Sequence, residues 1–233
     1  MKKGIYQIGK LRTLCSDDDK NRLVHVETHV RNMFKHEIPI RYYIPHDPEH
    51  FERVEEKLDE LIPGDMKKRL TSKEIFYLLC GVWLHDVGLV QHPEGMSDVE
   101  IRKQHHFLSH KYIIQTMDKL GLNLFEGNFI ADLAIWHRRS MDIEECARQY
   151  NEMVDGQAIR CELLGALLRL ADALDVSYQR AREPLYLLYM QFHMPAENWI
   201  HWVKHRISMK AICRPAEQVI KLTAMVPKDH IDY

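Results

Sequence analysis

Hydrophobic positions recur at helical spacing through most of the chain. Leu23, Val26, Val30, Met33 and Phe34 follow an acidic first turn of Asp17, Asp18 and Asp19, which suits the helix macrodipole and predicts a helix over residues 17–36. The run from Ile75 to Leu84 is apolar nearly all round and predicts a buried helix, capped by Thr71 or Ser72. Ser97, with Glu100 three residues on, forms a capping box opening a helix that stops at Gly121. Phe129 to His137 and Gln157 to Arg180 complete the set, the second carrying Leu163, Leu164, Leu167, Leu168 and Leu170. Pro45, Pro48 and Pro63 break the pattern around one amphipathic segment, Phe51 to Leu61; residues of about 39–70 therefore read as an insertion, away from any chemistry. After Pro184 the texture changes. Residues 185–192, 199–213 and 219–226 are rich in aromatic and β-branched side chains and are separated by Pro195 and Pro215, which predicts a small antiparallel sheet. The expected fold is mainly α: a helical core over residues 1–183 with a small β-rich appendage over 184–233. The abrupt stop at Asp232 and Tyr233 gives the expectation that the chain continues into a longer protein.

Composition narrows the functional classes. With 233 residues and a net charge of -2, the chain has no overall basic field to draw it to nucleic acid or anionic lipid. Trp199, Trp202, Lys204, His205 and Arg206 read as an amphipathic strand, so nucleic acid is not an expected partner. The five cysteines (Cys15, Cys80, Cys146, Cys161, Cys213) are odd in number and lack C-x-x-C spacing; they read as reduced thiols. No apolar run approaches the roughly 18 residues that a spanning helix needs, and no apolar stretch follows the first lysines. A soluble, cytoplasmic protein without membrane contact is expected. Fifteen histidines are many for this length, and several cluster. For His36, His46, His50, His92, His193, His201, His205 and His230 a surface position is the expectation.

His85-Asp86 closes the buried helix, where a charged pair costs several kcal/mol unless it is paired or bound to metal. Around it stand His29, His105, His137 and Asp172, each on a different predicted helix, in the order H…HD…H…H…D. Residue types alone leave His25 open against His29, and His106 or His110 against His105; Asp172 has Arg169 as an alternative partner.

The pattern and its flanks resemble the HD-domain superfamily. His29-Val-Arg-Asn-Met resembles the first-histidine helix, Trp83-Leu-His-Asp-Val-Gly88 the HD signature, and His105-His-Phe-Leu-Ser109 the next histidine with its small residue four positions on. Ala134-Ile-Trp-His137 and Leu167-Leu-Arg-Leu-Ala-Asp-Ala-Leu-Asp175 resemble the fourth and closing elements, so the likeness runs from about residue 17 to 182. The last of these is most similar to HD domains beside ATPase or cyclase-type modules. The resemblance implies an HD-domain helical bundle in which His29, His85, Asp86, His105, His137 and Asp172 hold two divalent metal ions. It further implies a phosphohydrolase that attacks a nucleotide or related phosphate ester with a metal-bound hydroxide.

Chemistry agrees with that implication. The two oxygens of Asp86 can bridge two cations, with imidazoles and Asp172 completing each. Ligands without thiolates favour Mn or Fe, then Co, Ni or Mg. Arg138 and Arg139 follow His137 and could clamp a phosphate, with Lys111 as a further contact and Arg102 and Arg180 as weaker candidates. His106, or His110, could protonate the leaving oxygen, which sets Asp86 and His106 as the catalytic candidates. Leu89 stands where many HD-type cyclic-dinucleotide phosphodiesterases have lysine, and Arg-Arg-Ser follows His137 in place of their Gly-Tyr-Pro element; cyclic di-GMP is disfavoured. Two other readings remain: a di-iron HD oxygenase similar to myo-inositol oxygenase, and a non-catalytic module that senses metal and nucleotide. A small phosphorylated substrate, and a homodimer or attachment to further domains through the C-terminal sheet, are the expected partners.

Overall fold

The computed structural model describes residues 10–36, 40–144, 150, 153–154 and 157–225. Cys146 and His230, named above, lie outside the described residues. Helix α1 (Asp17–His36) buries Leu23, Val26 and Val30 along one stripe. Helix α2 (Pro48–Leu61) opens at Asp47, whose side chain accepts from the His50 backbone N–H, with Pro48 pre-set for the first turn. Its buried stripe is His50, Phe51, Val54, Glu55 and Leu58. A single turn, α3 (Gly64–Lys67), leads to α4 (Ser72–Leu84), which starts in a capping box between Thr71 and Glu74 and is buried from Glu74 to Leu84. Helix α4 is the axis of the bundle, touching α1, α2, α6 (Leu124–Trp136) and α7 (Cys161–Leu174). Helix α5 (Asp98–Thr116) lies against α6, behind the predicted Ser97–Glu100 box. Gly121 takes a positive φ of 69°, as a stop after a helix requires.

Charged side chains pin the helices to one another. Glu74, fully buried at the start of α4, accepts from the Arg160 backbone and guanidinium at the start of α7. Asp19 receives Lys73 at 2.9 Å, and Glu126 receives Arg22, so α1, α4 and α6 share one network. Arg12 joins Glu27 and Glu55 beside Trp83, fixing α1 against α2. The helix expected over 157–180 is shorter: Gln157–Ala158 pairs as strand β2 with β1 (Met153–Val154), and α7 ends at Asp175. That residue leaves the helical conformation and gives its carboxylate to His50 and Arg53.

The C-terminal segment corrects part of the expected sheet. Glu183–Gln191 and Ala196–Ile207 are helices α8 and α9; in this segment Ser208–Arg214 (β3) and Val219–Ala224 (β4) form the antiparallel pair, from Ser208↔Ala224 to Arg214↔Val219 with a register shift between Ser208 and Lys210. Strand-prone residue types lost to packing at helical spacing. Tyr186 and Tyr189 lie on one face of α8 and both close on the fully buried Trp202 of α9, together with Ile44 and Ala181. The Trp202 Nε1–H donates to the Tyr42 carbonyl at 2.9 Å, and Lys57 donates to the Ala211 carbonyl at 2.7 Å, so this segment rests on the loop before α2 and on α2 itself. No helix among the described residues is long and apolar enough to cross a membrane.

Candidate metal centre

Five elements converge at one end of the bundle. His85 and Asp86 leave the C-terminal end of α4, and the chain then turns tightly through Val87–Val90. Gly88 makes that turn fit: a Cβ there would lie 2.1 Å from the His105 carbonyl oxygen and 2.6 Å from the Ser109 nitrogen. Its N–H donates to Ser109 Oγ at 2.8 Å. The small residues at 88 and 109 thus let the turn lie directly on α5, which sets Asp86 Oδ1 3.2 Å from His105 Nε2.

The two oxygens of Asp86 face different groups. Oδ1 lies near His105 Nε2 and, at 3.6 Å, His137 Nε2; Oδ2 lies 3.4 Å from His85 Nε2, 3.9 Å from His50 Nε2 and 3.7 Å from His46 Nε2. Asp172, half-buried on α7, approaches from the second side, 3.3 Å from His50 Nε2 and 3.9 Å from His85 Nε2. Two triads of metal-ligand spacing result, His50–His85–Asp86 and Asp86–His105–His137, with Asp86 in both and all donor atoms of a triad within 4.8 Å.

The outer nitrogens of the imidazoles are already held. Nδ1 of His85, His105 and His137 each lies 2.6–2.9 Å from the backbone carbonyl three residues earlier, and Nδ1 of His50 lies 2.7 Å from Asp175 Oδ2. A carbonyl or carboxylate can only accept, so each Nδ1 carries a proton, and a bound cation would take the lone pair of each Nε2; against burial, the neighbouring Asp86 and Asp172 raise the His85 pKa to about 9. His105 and His137 bring such nitrogens within 3.1 Å of each other. His50 Nε2, His85 Nε2 and Asp86 Oδ1 are buried without a hydrogen-bond partner. Facing lone pairs and buried orphan acceptors are costly together unless a cation sits between them, so the donor set fits divalent metal.

Electrostatics follow from the same crowding. Burial alone would raise the Asp86 pKa, but the neighbouring His85, His46 and His105 hold it well below the ordinary carboxylate range. Asp172 is likewise held low against burial, by His50 and His85. Burial and the neighbouring His85 push His137 well below its ordinary value.

His85, Asp86, His105, His137 and Asp172 come together. His29 does not reach them: half-buried on α1, its Nε2 lies 2.6 Å from the Tyr112 hydroxyl. The place expected for it is taken by His50, which was assigned to the surface and to an insertion without chemistry, yet is fully buried in the cluster. His205 is also buried, against the surface expectation, and His46 is only partly exposed beside Asp86. A signal for His50 was present in its helix: His50, Val54 and Leu58 follow at intervals of four on the buried stripe.

The sequence profile of the HD-CE family matches residues 28–230, a span holding all of these residues. The chain belongs to the HD-CE family, an HD-type domain. Searches of the curated proteins and of the solved structures each found no match. In this HD-CE domain Arg138 sits half-buried next to His137, its Nε buried and unpartnered, and its charge is felt by Asp86 and Asp172. His106 is buried with Nδ1 unpartnered; burial and the adjacent His105 lower its pKa to about 4. Arg139 and Lys111 are exposed.

Proposed function

We propose that the chain is a metal-dependent phosphohydrolase that cleaves a nucleotide or related phosphate ester at a centre for two divalent cations, Mn or Fe first among them. The observation that carries this reading is Asp86, one carboxylate whose two oxygens serve two separate histidine groups. His50, His85 and Asp172 would hold one ion and His105 and His137 the other, with Asp86 shared. Bound there, the ions supply Lewis-acid charge to a phosphate ester and activate water near neutral pH.

The protein's own groups do the rest. The i−3 carbonyls and Asp175 hold the imidazoles in one tautomer, so the donor set needs no rearrangement to bind. Arg138 has an unpartnered donor beside the cluster and would bind a phosphate oxygen and stabilise its growing charge. His106, neutral at pH 7, is suited to hydrogen bonding with the substrate rather than to donating a proton from an imidazolium. Arg139 and Lys111 would serve only the outer part of a bound molecule.

The test is phosphate release from a panel of nucleotides and simple phosphate esters by protein supplied with Mn²⁺ or Fe²⁺. Metal-dependent release, lost in Asp86→Ala and reduced about 100-fold in Arg138→Gln, is expected from removing one charge-stabilising donor. Metal-loaded, folded protein that releases no phosphate across the panel refutes the reading, and oxygen consumption by an iron-loaded sample would replace it with an oxygenase.

A further inference from the structure

We propose that the HD-CE domain has a second anion site beside the metal centre, formed with α9, and that it takes a phosphate of the substrate other than the one hydrolysed. A cavity of about 230 Å³ lies between the cluster and α9, bounded on the metal side by His46 and Asp172 and on the other by Arg102, Arg180, Lys204 and His205. It is smaller than the roughly 300–1,000 Å³ of sites that enclose a drug-sized ligand, so it fits a compact group and not a whole nucleotide.

Its lining is built for negative charge. Arg180 is 6% exposed; its two terminal nitrogens donate to the Asp175 and Pro45 carbonyls at 3.2 Å, which fixes the guanidinium, and its buried Nε makes no hydrogen bond, with an ion pair to Asp175 Oδ2 at 3.6 Å. His205, also 6% exposed, has its pKa lowered to about 3 by burial and by Arg180, so it lines the cavity as a neutral ring. A buried donor without a hydrogen bond costs about 1–3 kcal/mol, and the Arg180 Nε–H on this cavity is one that an anion would complete. Arg102 and Lys204 form no ion pair with a described residue. Asp175 pairs with His50, Arg53 and Arg180, and Asp172 faces the cluster histidines; neither carboxylate forms an ion pair with Arg102 or Lys204. Burial lowers the Arg180 pKa despite Asp175 and Asp172, as expected of a cation whose desolvation its neighbours do not offset.

Asp172 belongs to both the cavity and the cluster, so an anion in one and a phosphate at the other are close enough to be parts of one molecule. The class of substrate is then a nucleotide with at least two phosphates. That class rests on the phosphohydrolase reading; the anion site does not.

Calorimetric titration of the Mn²⁺-loaded full chain with imidodiphosphate, a pyrophosphate analogue that resists hydrolysis, and separately with orthophosphate, tests the site. Lys204→Gln and Arg102→Gln are both outside the cluster, and circular dichroism checks their fold. Each is expected to weaken imidodiphosphate about 10-fold, the worth of one charged hydrogen bond, and orthophosphate less than about 2-fold. Equal weakening of both anions, or of neither, overturns the second-phosphate site even where ester hydrolysis is intact. Selective weakening in a chain that hydrolyses no ester upholds the anion site and overturns the phosphohydrolase reading alone.

Discussion

Gly88→Ala probes how the fold makes the centre. The added Cβ would meet the His105 oxygen at 2.1 Å and the Ser109 nitrogen at 2.6 Å, both backbone atoms that cannot swing away. Relief needs the turn and α5 to separate by about 1 Å or more. Overpacking of this kind costs about 1–3 kcal/mol, and the strained Gly88–Ser109 hydrogen bond adds about 1 kcal/mol. The lower entropy of an unfolded chain with alanine returns about 0.4–1 kcal/mol. The net loss is about 1–4 kcal/mol, which lowers Tm by about 2–14 °C in a chain of this size. The same separation draws His105 from Asp86, now 3.2 Å apart, so metal affinity should fall at least about 10-fold. Urea unfolding and Mn²⁺ titration read the two effects, with Gly64→Ala as control, because a Cβ there meets nothing within 4 Å. A Gly88→Ala protein that keeps both its stability and its metal affinity refutes the close approach of the turn to α5.

Two further outcomes follow from the charged groups around the bundle. Asp175→Asn removes the charge that orients His50 through Nδ1, and Mn²⁺ affinity should weaken about 10-fold; an unchanged Kd contradicts the positioning role. Burial alone would raise the carboxyls of Asp19 and Glu126, but bonds from Lys73, Ser16 and Ser72 to the first and from Arg22 to the second hold both below their ordinary values. A depressed folded pKa gives stability that is present above the unfolded value and lost as pH falls through the folded one. Unfolding free energy should therefore drop between pH 5 and pH 2 more steeply in the native chain than in Lys73→Met, and equal slopes would remove the network from the account.

Most of the proposed centre could be read from residue order because His85, Asp86, His105 and His137 sit at ends or on buried faces of strongly patterned helices, where burial is costly unless a partner or a bound cation offsets it. His50 escaped because three prolines around its helix looked like loop, although Asp47 and Pro48 form a capped helix start and the stripe through Val54 and Leu58 carries His50 inward. His29, chosen for its spacing to Met33, lies apart from the cluster with its Nε2 2.6 Å from the Tyr112 hydroxyl on α5. In the C-terminal segment, local preference pointed to strands at Tyr186, Tyr189 and Trp202, but these rings lie three apart on α8 and opposite on α9, so burial of Trp202 decides the conformation. Among the described residues of that segment, β3 and β4 keep the strand form, with β4 exposed throughout.

The central claim is that the described ligands, His50 included, hold metal. Plasma mass spectrometry on the native chain, His50→Ala and His29→Ala, each reconstituted with Mn²⁺ and desalted, tests it directly. The account predicts about two equivalents in the native chain, at least one lost in His50→Ala and both kept in His29→Ala. No bound metal in the native chain, or loss with His29→Ala and retention with His50→Ala, would contradict it.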